Sequence, residues 1–350
     1  MNMQQPKINK YLFYVTLSYS FNVLRPIEQV LKQRGHQVAW FIPQHSEAAA
    51  FSETTDRLFR TIAEVKAYQA DAVLVPGNYI PDFFPGIKVQ VFHGFDSGKK
   101  NKFNIRGFFD LYCTQGPNIT NAFNNINDGT CEVVETGWSK LDPLFTLHAD
   151  TDKYQSASPT ILYAPTFSPK LTSTYALLPH IESLAKKHPW QWLIKLHPKA
   201  KTDEIAMFKA LAQRQQNVRF IETSNVIPLL QAADVLVSDT SSILAEFALQ
   251  AKPVVALNNR RPEDWMINFS SPEHLEEKIE YALSNDPKLL SLIDQHCSSI
   301  HPYKDGQSSK RVVEAIDDLI SRGTAHLKAK PWNIIRKLKM RKKFKYYHWR

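Results

Sequence analysis

The sequence predicts an α/β protein of two Rossmann-like lobes, each built around a mainly parallel sheet, with an interdomain cleft. Three observations predict it. Short apolar runs alternate with longer segments of helical period almost throughout the 350 residues, the pattern of repeated strand–helix units. A polar stretch without periodicity, residues 148–158, splits that alternation into two series, as a linker does. Several strand candidates also run directly into polar residues, and open parallel sheets bind ligands where the carboxyl ends of strands meet loops.

The first series places strands at residues 11–17, 37–42, 72–75, 89–92, 111–114 and 131–135, with helices at 23–34 and 117–125. The second places strands at 160–163, 192–196, 218–221, 235–237 and 254–257. Its helices fall at 176–187, 203–213, 226–232, 241–250 and 272–282, with more helix beyond residue 287. The expected domains are an amino-terminal lobe over 1–147, the linker 148–158, a carboxy-terminal lobe over 159–325 and a basic tail over 326–350.

Hydrophobic residues make up 43% of the chain, enough to bury a sizeable core. No run reaches the roughly 18 apolar residues of a membrane span, and a polar start leading at once into a strand does not read as a secretory signal. Cys113, Cys131 and Cys297 are too few and too scattered for a disulfide framework or a zinc site, which fits a reducing cytoplasm. The net charge of +9 is local. From Lys328 to Arg350 there are ten Lys/Arg and no Asp/Glu, leaving 33 basic and 34 acidic residues elsewhere. The body is neutral and the tail is basic.

Polar chemistry collects at the strand ends. The strand at 89–92 delivers His93 and Gly94, then Phe95-Asp96-Ser97-Gly98-Lys99. An imidazole there suits proton transfer near neutrality, and glycine allows close approach of backbone and ligand; the plainer reading is a structural histidine closing a strand. The strand at 192–196 repeats the device with His197-Pro198, and Lys195 lies two residues earlier on the face of His197. The strand at 235–237 runs into Asp239-Thr240-Ser241-Ser242 ahead of a helix. Helix starts are anion sites, although these residue types are equally ordinary caps. Glu246 lies one turn further on, suited to a ribose or to solvent. Pro165 and Thr166 follow the strand at 160–163, and Lys140, near the end of the first lobe, offers a countercharge for phosphate.

Phosphate-loop, dinucleotide and nucleophile-elbow fingerprints are absent from the sequence. Asp150-Thr151-Asp152 has the form of a metal-binding acidic pair but falls in the linker. No metal or cofactor is expected.

Taken in order, these junctions resemble the CDP-glycerol glycerophosphotransferases, the teichoic acid primases and polymerases. The resemblance rests on His93-Gly94, Gly137-Trp138-Ser139-Lys140-Leu141-Asp142, Leu162-Tyr163-Ala164-Pro165-Thr166, Leu196-His197-Pro198, the run from Asp239 through Ser241-Ser242 to Glu246, and Asp305-Gly306-Gln307-Ser308-Ser309-Lys310-Arg311. It covers residues 88–315. It implies a GT-B-like architecture and transfer of glycerol phosphate from CDP-glycerol to an acceptor hydroxyl, releasing CMP.

Carried over by position, the resemblance makes His93 and His197 catalytic, with His93 the base. It gives Gly94, Lys140, Pro165, Thr166, Lys195, Asp239, Thr240, Ser241, Ser242, Glu246, Asp305, Gly306 and Ser309 to the substrates. The expectation is that His93 and the Ser241–Ser242 helix start converge on one diphosphate. Lys140 stands where the family usually has Arg, keeping the charge but not the bidentate geometry. The loop after Gly94 departs from the family's Thr-Pro-Leu-Lys, which leaves CDP-ribitol or another CDP-polyol open as donor.

The tail interleaves Trp332, Ile334, Ile335, Leu338, Met340, Phe344, Tyr346, Tyr347 and Trp349 with Lys and Arg. A basic amphipathic segment of this kind reads as a contact with an anionic membrane surface, against nucleic-acid binding or a solvated tail. A lipid-linked or glycan acceptor and a cytoplasmic protein, peripheral on the inner face of the plasma membrane, follow from that reading. The rival enzyme is a UDP-sugar glycosyltransferase or epimerase. The rival of another class is a non-catalytic polyanion or nucleic-acid binder acting through the tail.

Overall fold

The structure, a computed structural model, describes residues 8–49, 57–95, 103–146, 152–154, 156–223 and 225–348. The chain divides into two units, Met1–Asp142 with Ile300–Arg350, and Pro143–Ser299.

The first unit is built on seven strands: β1 (Lys10–Tyr14), β2 (Gln37–Phe41), β3 (Leu58–Phe59), β4 (Ala72–Val75), β5 (Ile87–Gln90), β6 (Leu111–Thr114) and β7 (Glu132–Glu135). All pairings are parallel, in the order β3-β2-β1-β4-β5-β6-β7. β4 and β6 are buried along their whole length, as strands covered on both faces must be. The order reverses between β1 and β4. That switch point is where a Rossmann sheet leaves a crevice for ligands.

The second unit repeats the arrangement with six parallel strands: β8 (Thr160–Tyr163), β9 (Gln191–Ile194), β10 (Val218–Phe220), β11 (Val235–Ser238), β12 (Val254–Leu257) and β13 (Ile267–Phe269). Their order is β10-β9-β8-β11-β12-β13, with the switch between β8 and β11. β3 and β13 are additions to the expected set. At two and three residues, neither is long enough to display a period.

The two units differ from the expected domain limits at the carboxyl end. The Ser308–Arg322 helix, assigned above to the second lobe, belongs to the first unit. It buries Val312, Val313, Ile316 and Leu319, and Asp317 accepts hydrogen bonds from Tyr11 Oη and from Asn9 Nδ2 (3.3 Å). Within the expected linker, Asp152–Tyr154 forms a 3-10 turn whose Lys153 carbonyl accepts from Arg219 Nη1 at 2.7 Å. Asp150 and Thr151 lie outside the described residues.

The tail is docked rather than loose. Its helix, Ile334–Phe344, sends Phe344 into the aromatic cluster of Tyr14, Phe41, Phe83 and Phe84. Tyr346 stacks on Phe83 at 4.4 Å, and the buried Arg341 pairs with Asp82 at 2.5 Å.

Candidate functional site

In the first unit, the loops after β1, β4 and β5 meet at His93. Phe92 adopts φ +49°, a backbone region that bulky residues rarely enter, and this turns the chain out of the sheet at His93. The imidazole Nδ1 lies 3.1 Å from the Pro76 carbonyl beyond β4, and its ring stacks on Tyr19 beyond β1 at 5.2 Å. A carbonyl only accepts, so Nδ1 carries a proton, and in the neutral ring Nε2 presents the lone pair. The protein thereby sets the tautomer that a general base requires.

Gly94 has open space where a Cβ would sit, so the protein's own packing makes no demand for glycine there. Its carbonyl accepts from Gln115 Nε2 at 2.9 Å. Phe95 meets Trp138 edge-on at 4.9 Å, and the Lys140 ammonium lies over the same indole at 4.9 Å. Lys140 is thus brought into the neighbourhood of the His93 loop through one tryptophan. Asp96 to Lys99 lie outside the described residues.

The expected substrate residues near the carboxyl end lie beside a structural joint. Asp142 accepts from the backbone N–H groups of Ser308 (2.8 Å) and Ser309 (2.7 Å), capping the Ser308–Arg322 helix. Gly137 has φ +82°, and a Cβ there would stand 2.4 Å from Ser308 Oγ. Two of the sequence motifs are therefore halves of one joint. Ser309 is buried at 2% exposure, Asp305 pairs with Arg311, and Gly306 makes a turn at φ +65°. Asp305 is exposed and Gly306 half-buried, so of these three expected substrate residues only Ser309 is closed off by burial.

In the second unit, the organising group is Asp239, at the end of β11 and fully buried. Its Oδ1 accepts from Thr166 N–H at 2.9 Å, and its Oδ2 from Ser173 N–H at 2.9 Å and Ser173 Oγ at 3.0 Å. Burial raises the carboxyl's pKa and these donors pull it back. Asp239 ties the β8 and β11 loops together at the switch point. With no exposed surface it is a positioning residue, a correction to its expected contact with substrate. Thr240 is similarly engaged, its Oγ1 accepting from Arg260 N–H at 3.1 Å.

His197 follows β9, stacked on Phe167 at 4.3 Å. Its Nδ1 accepts the Lys199 N–H at 3.0 Å, which leaves the ring proton on Nε2 in the neutral form. Burial lowers its pKa, helped by Lys195 and Lys199, so the ring stays neutral near pH 7. Burial also lowers the pKa of Lys195, whose ammonium donates to the Leu196 carbonyl at 3.0 Å. Ser241 is half-buried and Ser242 exposed, and Ser242 makes no side-chain capping bond. The helix they precede is Ile243–Ala248, only six residues, shorter than the 241–250 expected. Its dipole is correspondingly slight. Glu246 is buried at 4% exposure, so it is not a solvated charge; Pro165 is buried and Thr166 half-buried beside it in sequence order at the β8 end.

Tyr19 and Gln115 were missed in the sequence. Their only signal was position, in the loop after β1 for Tyr19 and directly after β6 for Gln115. Cavities of about 650 Å³ in the first unit and 470 Å³ in the second open at the amino-terminal strand ends, lined by Asp71, Lys88 and Asp110 in one and by Asp234 and Pro253 in the other. Neither is lined by His93 or His197. His188, Glu276 and Glu280 come within reach of a common ion, but Lys187 and His188 already pair with Glu276.

Residues 88–261 match the family model described as CDP-glycerol:poly(glycerophosphate) glycerophosphotransferase. Among solved structures, the wall teichoic acid polymerase TagF, in a form soaked with CDPG, is 14% identical with TM-score 0.64, covering 90% of each chain. A putative UDP-N-acetylglucosamine 2-epimerase from Listeria monocytogenes is 15% identical with TM-score 0.63, over 93% of this chain and 98% of that one. MnaA from S. aureus, solved with UDP, is 16% identical with TM-score 0.63, over 93% and 99%. No curated protein matched in sequence. The two parallel-sheet units and these likenesses make the architecture GT-B-like.

Proposed function

We propose that this enzyme of the CDP-glycerol glycerophosphotransferase type moves glycerol phosphate, or a related polyol phosphate, from a CDP-activated donor to an acceptor hydroxyl. CMP is released, and the product is a teichoic-acid-like or capsular surface polymer. The carrying observation is the opposite protonation of the two strand-end imidazoles: His93 offers a lone pair and His197 a proton at Nε2.

In this reading the acceptor oxygen attacks the glycerol-bearing phosphorus as His93 Nε2 takes its proton. A new P–O bond forms, the P–O–P bridge breaks, and CMP leaves with the electron pair. His197 Nε2–H, with the Thr166, Ser241 and Ser242 hydroxyls and the Lys195 and Lys140 ammoniums, meets the charge on the phosphate oxygens. Glu246 is assigned to the donor's ribose side. No metal is called on in any step.

The acceptor in this proposal is a glycan or lipid-linked glycan. The enzyme works in the cytoplasm, peripheral on the inner face of the plasma membrane, with the basic tail toward anionic lipid. No helix among the described residues is long and apolar enough to cross a membrane.

The epimerase likeness supports a second reading, action on a UDP-sugar. Purified protein incubated with CDP-glycerol, CDP-ribitol and UDP-N-acetylglucosamine, with and without a polyol-phosphate-primed acceptor, separates the two. CMP formed only with a CDP-polyol and acceptor supports the proposal; UDP formed instead overturns it.

A further inference from the structure

The tail helix has three sectors. At helical spacing, Lys337, Met340, Arg341 and Phe344 turn toward the first unit, where Arg341 is buried and Phe344 joins the aromatic cluster. A second sector is apolar and open to water: Ile334 is 52% exposed, Ile335 71% and Leu338 47%, with Trp332 just before the helix at 82%. The third sector carries Arg336, Lys339 and Lys343, while Lys342 closes the apolar sector one turn beyond Leu338; all four are exposed. No acidic residue occurs from 326 to 350.

Deepening the membrane reading proposed above, on which it rests, we infer that this outward face, Trp332 with Ile335 and Leu338 bordered by Lys339 and Lys342, is a preformed docking surface for an anionic phospholipid bilayer. An apolar strip bordered by cations fits the boundary between headgroups and acyl chains. Indole settles at that boundary, aliphatic side chains enter below it, and long lysine stems let their ammoniums reach the phosphates above. Nucleic acid would satisfy the cations but leave Ile335 and Leu338 in water. An acidic protein groove would need to be apolar and anionic in the same alternation.

Rigidity is part of the inference. An 11-residue helix is marginal alone in water. Here Phe344, Tyr346 and the Arg341–Asp82 pair hold it folded, so the face is presented without an ordering cost at contact. Truncating the tail would strip the aromatic cluster of Phe344 and Tyr346 and confound folding with docking. Substitution of the exposed positions avoids that.

The test is flotation of the full chain with vesicles of phosphatidylcholine plus phosphatidylglycerol, against phosphatidylcholine alone. The chain should float with the first and not the second, and added salt should weaken it. Trp332→Ser with Ile335→Ser should reduce binding at least about tenfold, as should Lys339→Glu with Lys342→Glu, both without lowering the melting temperature. If the serine pair does lower it, the glutamate pair decides. A parent that stays unbound, variants that float like the parent, or an RNA homopolymer that outcompetes vesicles would each overturn the inference. Turnover on a water-soluble acceptor is measured alongside. Turnover without flotation removes the docking surface alone, and flotation without turnover removes the transfer reading alone.

Discussion

His93 and His197 close comparable strand ends, yet one Nδ1 donates to the Pro76 carbonyl while the other accepts from the Lys199 N–H. In the neutral rings, one imidazole therefore has its lone pair at Nε2 and the other its proton there. The difference yields a substitution pattern that simple importance would not. His93→Ala and His197→Ala should each lower kcat/KM by about a hundredfold or more. Glutamine, whose amide reaches the place of Nε2, should separate them. His197→Gln keeps a donor and should recover to within about tenfold of the parent, while His93→Gln supplies no base and should stay near the alanine level. Equal recovery at both positions would contradict the assignment.

Asp239 is expected to matter through Thr166 and Ser173 rather than through the ligand. Asp239→Asn places an amide N–H against one of three donors and removes a charge-assisted acceptor in a buried site. The loss should be about 3 kcal/mol of stability in the second unit, read by chemical denaturation. Donor affinity should fall with it because the β8 loop loses its tie. Unchanged stability with lost turnover would instead make Asp239 a ligand contact.

Much of this fold was legible in the sequence and much of the site was not, for physical reasons that differ by residue. Ala72–Val75 and Val254–Leu257 were readable as strands because both faces are buried, so an uninterrupted apolar run leaves no other reading. Helical period gave more helix beyond residue 287 but neither the limits of Ser308–Arg322 nor its partner. What assigns it to the first unit is a cap from Asp142, 166 residues away, and sequence period carries no such information. Asp239 looked like a ligand residue because Asp and Ser after a strand suit both anions and caps; the decisive Ser173 lies 66 residues away. The aromatics interleaved in the tail already contained its docking signal, since Phe344 and Tyr346 find partners in the first unit's core. Tautomers were invisible, being set by backbone groups that only the fold supplies.

The joint between Gly137 and Ser308 can be tested by compensation. Gly137→Ala meets Ser308 Oγ at 2.4 Å and must hold φ +82°, so it should cost about 2 kcal/mol or more. Adding Ser308→Gly removes the contact with Ser308 but neither the backbone strain nor the 3.0 Å approach to Tyr303 Cδ2, and should return part of that loss, leaving about 1 kcal/mol or more. Thermal melting of the two variants and Ser308→Gly alone completes the cycle. Strict additivity would show that the two residues do not meet.

Stability of the first unit should depend on pH through His301. Its Nε2 accepts the Trp138 N–H at 3.0 Å, and burial pushes its pKa from 6.5 down to about 4. The unfolded chain takes up a proton below about 6.5 while the folded ring stays neutral until about 4, so stability is full above that window and falls as pH drops through it. The span corresponds to about 3 kcal/mol at its lower end. His301→Gln retains an acceptor for Trp138 but does not titrate. Its stability should be lower than the parent's at pH 7, and its decline between pH 6.5 and 4 should be shallower by about that amount. Parallel declines in parent and variant, followed by denaturant unfolding across that range, would show that His301 titrates freely in the folded protein.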